Sequence, residues 1–172
     1  MRPVHVVVLA AGRGSRLRDL GAGTPKWLLE VGGRPLAARH LEGVERARDV
    51  VASTSVVVGH AADGIRAWLS EEGHDDVVVI DNPEYAEINN WWSLLRALRE
   101  LPDEGPVAVV NADLMVDPAA VEAFLREVAT GPADALLAVD LARTLTDESM
   151  KVSRSGSGTL QRIGKIGIEA PV

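Results

Sequence analysis

The apolar residues of this chain come in short unbroken runs set between polar, glycine-rich and proline-rich stretches. Five such runs, most of them β-branched, stand at 6–11, 56–58, 77–80, 107–110 and 135–140. A continuous apolar run of this length predicts a strand covered on both faces. Between the runs the spacing becomes helical. Pro35 suits the first turn of a helix running towards Arg48, with Leu36, Leu41 and Val44 facing a sheet. A second helix is predicted through Ile65, Trp68 and Leu69, a third opens at 89–94 with Asn90 as N-cap and Ser93 three residues on, and Asp117 caps a fourth that starts at Pro118. Residues 151–152 and 160–164, around a Ser/Gly turn at 153–159, predict a hairpin. Strands alternating with helices imply an α/β fold, a Rossmann-like three-layer α/β/α arrangement with a mostly parallel central sheet. Ligands of such sheets sit at the carboxyl edge of the strands, so the segments after Leu9, Ile80 and Val110 are expected to meet there.

Length and charge narrow the partners. A chain of 172 residues is one domain's worth and can bury a sizeable core, so a single domain over 1–172 is expected. No run approaches the ~20 apolar residues of a membrane span, and no signal peptide precedes the first strand, which points to a cytoplasmic protein without a membrane partner. The absence of cysteine rules out disulfides and thiol chemistry. A net charge of −7 argues against a nucleic-acid surface. His5, His40, His60 and His74 show no metal-ligand spacing, and His60 reads as structural.

The first run ends in Leu9, Ala10, Ala11, Gly12, Arg13, Gly14, Ser15 and Arg16. Gly12 and Gly14 remove the Cβ atoms that would block close approach, leaving successive N–H groups to cradle anionic oxygens, while Arg13, Arg16 and Lys26 add full charges. That combination predicts a phosphate site. It is not a P-loop, because no Gly-Lys-Ser/Thr follows, and Leu17 stands where the dinucleotide pattern has its third glycine or alanine. After the fourth run, Asp113 is a hard carboxylate at a strand end, placed to hold Mg²⁺ beside a triphosphate. Paired Trp91 and Trp92 in the first turn of a helix at the same edge could stack on a base or face an ammonium group.

The strings LAAGRGSRL (9–17) and TPKWLLEVGGRPL (24–36) resemble the signature of nucleotidyltransferases that join a nucleoside triphosphate to a phosphorylated sugar or alcohol and release pyrophosphate. The resemblance implies that the glycine loop holds the nucleotide phosphates and that Arg16 and Lys26 stabilise charge at the α-phosphate and the departing pyrophosphate. The arrangement of Asn82, Asn89, Asn90 and Ser93 is similar to the phosphocholine and phosphonate cytidylyltransferase branch, as is Asn111-Ala112-Asp113, where the branch usually has Asn-Gly-Asp. On that resemblance CTP and a small phosphate or phosphonate monoester are the substrates. Asn82 and Asn89 would join residues 9–15 in binding the nucleotide, and Asn90, Trp91, Trp92 and Lys151 would bind the acceptor, with Mg²⁺ on Asp113.

Two other readings remain beside it. One is a sugar-phosphate nucleotidylyltransferase using UTP, GTP or dTTP, and the other a non-catalytic nucleotide-binding module. The resemblance also implies a further strand, further helices and a second metal-binding Asp beyond Lys165, where Glu169 is the only acid. Either the sequence is a fragment, or that ligand comes from another chain or from water. A strand edge left bare would favour a homodimer.

Overall fold

In a computed structural model of the protein, the first apolar run forms β1 (Val4–Leu9) at the centre of a four-stranded sheet. The structure describes residues 1–14, 23–142, 144–147, 149–168 and 171. Beside β1 lies β4 (Val51–Val58), then β5 (Val78–Asp81), and on the other side β6 (Val107–Asn111), giving the order β5-β4-β1-β6 with every pairing parallel. Four of the five apolar runs are therefore strands of one parallel sheet. A small antiparallel pair, β2 (Glu30–Val31) and β3 (Arg34–Pro35), leads into α1 (Leu36–Arg46). The remaining helices are α2 (Ala62–Glu71), α3 (Asn90–Glu100) and α4 (Pro118–Thr130).

Side-chain alternation along β1 sorts these helices onto two faces. Val4, Val6 and Val8 pack in one core with Leu41 and Val44 of α1, Ile65 and Leu69 of α2, and Val121, Leu125 and Val128 of α4. Val7, with Val57 and Ile80, packs with Ala97 of α3 in a second core. Helices on both faces make the three layers that the sequence predicts.

Asp117 accepts from the Ala119 N–H at 2.8 Å, the N-cap expected before Pro118. At α3 the start lies one residue earlier than expected: Asn89 is the N-cap, Asn90 is already helical, and no side-chain cap bond forms. Trp92 N–H donates to Asn89 O at 3.0 Å, and Ser93 Oγ accepts from Asn82 Nδ2 at 2.9 Å.

Contacts within the chain define two units, Met1–Pro132 and Ala133–Val172. In the second, β7 (Lys151–Arg154) and β8 (Leu160–Gly164) form the expected antiparallel hairpin. The fifth apolar run is not a strand. Residues 135–140 pair with no ladder, and Leu136, Leu137 and Val139 are exposed. Apolar character supplies a buried face but not the neighbouring strand whose backbone groups a ladder requires.

Candidate active site

The sheet order places a crevice between β1 and β6, because the chain leaves β1 towards β4 on one side and later returns to add β6 on the other. Such a switch point is where open α/β sheets bind ligands. A hollow of about 340 Å³, solvent-facing space included, lies there, lined by Leu9, Ala10, Gly12, Lys26, Asn90, Asn111, Ala112 and Asp113. The segment after β1, the residues after β6 and the start of α3 thus converge as the alternation of elements predicts.

Backbone bonds fix the hollow's floor. Ala10 N–H donates to Val57 O, His60 N–H to Ala11 O and Ala112 N–H to Leu9 O, so the ladder continues past the strand ends and holds both loops. Among the described residues no atom lies within 4 Å of where a Cβ on Gly12 would stand, which leaves its approach face open to them. Gly14 is different. Its φ of +67° suits glycine, and a Cβ would come within 3.0 Å of Lys26 Cε. The Arg13 guanidinium lies 5.4 Å from the centre of the Tyr85 ring. Ser15 and Arg16, expected in the phosphate site, lie outside the described residues.

Lys26 is aimed by its neighbour. Pro25 precedes a 3-10 turn, Lys26–Leu28, in which successive residues point about 120° apart. Burying Trp27 completely therefore turns Lys26 out of the core and into the hollow. Across the hollow, Leu114 N–H closes a turn onto Asn111 O at 3.0 Å, presenting Asp113 at its apex. Lys26 Nζ donates to Asp113 Oδ2 at 3.1 Å, so the cation and the carboxylate that the sequence singles out meet directly.

The other predicted residues divide. Asn82 is buried, with Nδ2 donating to Ser93 and Oδ1 accepting from the Glu84 N–H, so its amide is spent on holding the turn after β5 against α3. Asn89 and Asn90 are exposed at the start of α3, and Asn90 lines the hollow. Trp92 donates from Nε1 to Glu84 at 2.8 Å and carries the Arg99 guanidinium 5.5 Å from its ring centre. Trp91 stands edge-on to Trp92 and is 58% exposed. Lys151, in the second unit, donates to the carbonyls of Thr146, Ser149 and Lys165 and ties the two ends of its hairpin together.

Sequence reading missed His40. It is buried in α1, accepts from Trp27 Nε1 at 3.1 Å and bonds Leu114 O at 2.7 Å. Burial holds its pKa below the ordinary value of 6.5, against the opposing pull of the Leu114 carbonyl and the Asp113 charge. A lone histidine among apolar positions carries no spacing signal that would have found it.

A family model for the MobA-like NTP transferase domain matches residues 6–147, most of the chain and all of the hollow. The chain belongs to this family. Within it, CMP-5'-(3-aminopropyl)phosphonate synthase of Streptomyces rubellomurinus is 34% identical over 158 residues, covering 90% of this chain and 24% of that protein. N-acetylmuramate alpha-1-phosphate uridylyltransferase of Neisseria meningitidis is 36% identical over 117 residues, 66% of this chain and 48% of that protein. Among solved structures, the CTP:phosphocholine cytidylyltransferase of Streptococcus pneumoniae is similar at 31% identity and a TM-score of 0.55, over 66% of this chain and 46% of that one. The chain spans from about a quarter to about half the length of the curated relatives first matched (24%, 51% and 44%). Among the described residues no helix is long and apolar enough to cross a membrane.

Proposed function

We propose that this domain transfers CMP from CTP to a small phosphate or phosphonate monoester bearing an amino or ammonium group, releasing pyrophosphate. The observation that carries the reading is the meeting of Lys26 and Asp113 in a hollow at the switch point, beside a glycine loop with an open approach face. The relatives named for CMP-phosphonate synthesis and for phosphocholine cytidylyl transfer support the choice of nucleotide.

In the reaction an anionic oxygen of the acceptor forms a bond to the α-phosphorus of CTP. The bond from that phosphorus to the bridging oxygen of the pyrophosphate breaks, and its electron pair leaves with pyrophosphate. The attacking oxygen is already ionised, so the chain supplies position and charge rather than a general base. Residues 9–15 hold the triphosphate. Lys26 neutralises charge that develops on the leaving group, with Arg16 in the same role.

Among the described residues no group of three or more acids or histidines forms a cage, and Asp113 is a single, half-exposed carboxylate. That donor set fits Mg²⁺ shared between one carboxylate, triphosphate oxygens and water, the usual manner for this cation. When bound, the ion neutralises the triphosphate oxygens. Asp113 would exchange its bond to Lys26 for that role, freeing the ammonium for the nucleotide.

Trp91, with its exposed ring beside Asn90, is the residue offered to a cationic acceptor, since the Trp92 ring already meets Arg99. Lys151 would contact the acceptor only by giving up carbonyl partners. The test is pyrophosphate release in Mg²⁺ with each common ribonucleotide and dTTP against a panel of phosphate and phosphonate monoesters. Release with CTP and an ammonium-bearing acceptor supports the proposal. Release with UTP and a sugar phosphate would move the domain towards the uridylyltransferase relative, and no release with any pair would leave a nucleotide-binding module.

A further inference from the structure

Lys26 and Asp113 come from segments 87 residues apart in sequence, and their contact at 3.1 Å is partly exposed. An exposed ion pair holds little by itself, typically under about 1 kcal/mol. Something else must fix the two segments. The residue after Lys26 is Trp27 and the residue after Asp113 is Leu114. Both are bonded to the same imidazole. Trp27 Nε1–H can only donate, so His40 Nδ1 is the acceptor and carries no proton. Nε2 then holds the proton and donates to Leu114 O. The two partners thus select one neutral tautomer, and the ring joins α1 to both loops at one point.

We infer that His40 is a positioning residue: its neutral imidazole pins Trp27 and Leu114, and through them sets the separation of Lys26 and Asp113 across the hollow. Burial supports this reading, because His40 is 1% exposed and Trp27 fully enclosed, so no solvent replaces the buried Trp27 bond, while the bond to Leu114 is part-buried. Trp27 is braced in turn by Trp68 of α2, edge-on at 6.2 Å. The inference deepens the proposed function and rests on it for its catalytic meaning.

Two substitutions separate pinning from packing. His40→Gln keeps an acceptor and a donor on one planar group and can serve both partners. His40→Leu keeps apolar bulk and serves neither. With CTP and the acceptor found active, His40→Leu is expected to lower kcat about 10²-fold, the loss typical of an ångström-scale misplacement, with KM for CTP changed less. His40→Gln should restore most of that loss. A kcat equal to wild type in a folded His40→Leu protein would overturn the inference.

A readout without substrate stands beside it. In the nucleotide-free protein, ¹⁵N spectra of the His40 ring should show a protonated Nε2 and an unprotonated Nδ1 at neutral pH, and the backbone amides of Lys26 and Asp113 should shift in His40→Leu but not in His40→Gln. Averaged ring signals, or unmoved amides in both variants, would reject the pin. If His40→Leu fails to fold, Trp27→Phe takes its place; it removes the indole donor together with part of the ring's bulk, so the amide read is that of Asp113, which Trp27 reaches through His40 and Leu114, and it should shift. Absence of turnover in the wild type would sink the proposed function and leave these spectra to decide the pin.

Discussion

The two glycines that follow β1, Gly12 and Gly14, have different surroundings. Gly14 sits at φ +67° with Lys26 against the space a methyl would fill, whereas no described residue crowds Gly12. Gly14→Ala should therefore cost about 1–2 kcal/mol of stability from the left-handed backbone and also displace Lys26. Gly12→Ala should stay within about 0.5 kcal/mol of wild type in denaturant melts, since the added methyl meets no atom of the described residues. Calorimetric titration with CTP then separates them: weaker binding in Gly12→Ala at unchanged stability marks a face that the triphosphate approaches. Equal affinity would mean that the ligand lies elsewhere. At this scale the sequence singled out Lys26 and Asp113, which meet in one hollow, because charge is a property of single residues. It did not show what Asn82 and His40 bond to within the fold. Their partners, Ser93 and Glu84 for one, Trp27 and Leu114 for the other, become neighbours only when the chain is folded.

Among the elements, α1 does the most to connect core and site. It packs on α4 at Gly43, where a Cβ would come within 2.5 Å of Val121 Cβ and 2.7 Å of Pro118 O. Gly43→Ala must push the helices apart and should destabilise by about 1–3 kcal/mol, read as a lower denaturation midpoint at unchanged slope. The same helix holds His40, whose folded pKa lies below 6.5 because burial disfavours the charged ring. In the unfolded chain that histidine takes up its proton near pH 6.5, while the folded protein resists until lower pH. Stability from the neutral ring is therefore complete above about pH 6.5 and declines as pH falls below it towards the folded value. His40→Gln should flatten that part of the stability profile relative to wild type. Parallel curves for the two proteins would show that the ring does not carry the slope. The central strand β1 was legible because an unbroken apolar run needs cover on both faces, whereas β5 and β6, at the two edges of the sheet, leave Val78 and Val109 exposed. Residues 135–140 have the composition of a strand and lack a ladder, a matter of neighbours that hydropathy does not encode.

For the molecule as a whole, the parallel order β5-β4-β1-β6 converts separate sequence signals into one site. The switch between β1 and β6 opens the crevice, and the loops that leave those two strands supply its glycines, its cation and its carboxylate. The family match covers the residues that build this edge. A measurement on Lys26 tests the proposed function most directly: pyrophosphate release from CTP, in Mg²⁺ and with the acceptor that the panel identifies, by the wild type and by Lys26→Ala. Loss of one preorganised charge at the leaving group predicts a fall in kcat of about 10²–10³-fold with the thermal midpoint little changed. An equally stable Lys26→Ala protein that turns over at the wild-type rate would contradict the account and place the chemistry outside this hollow.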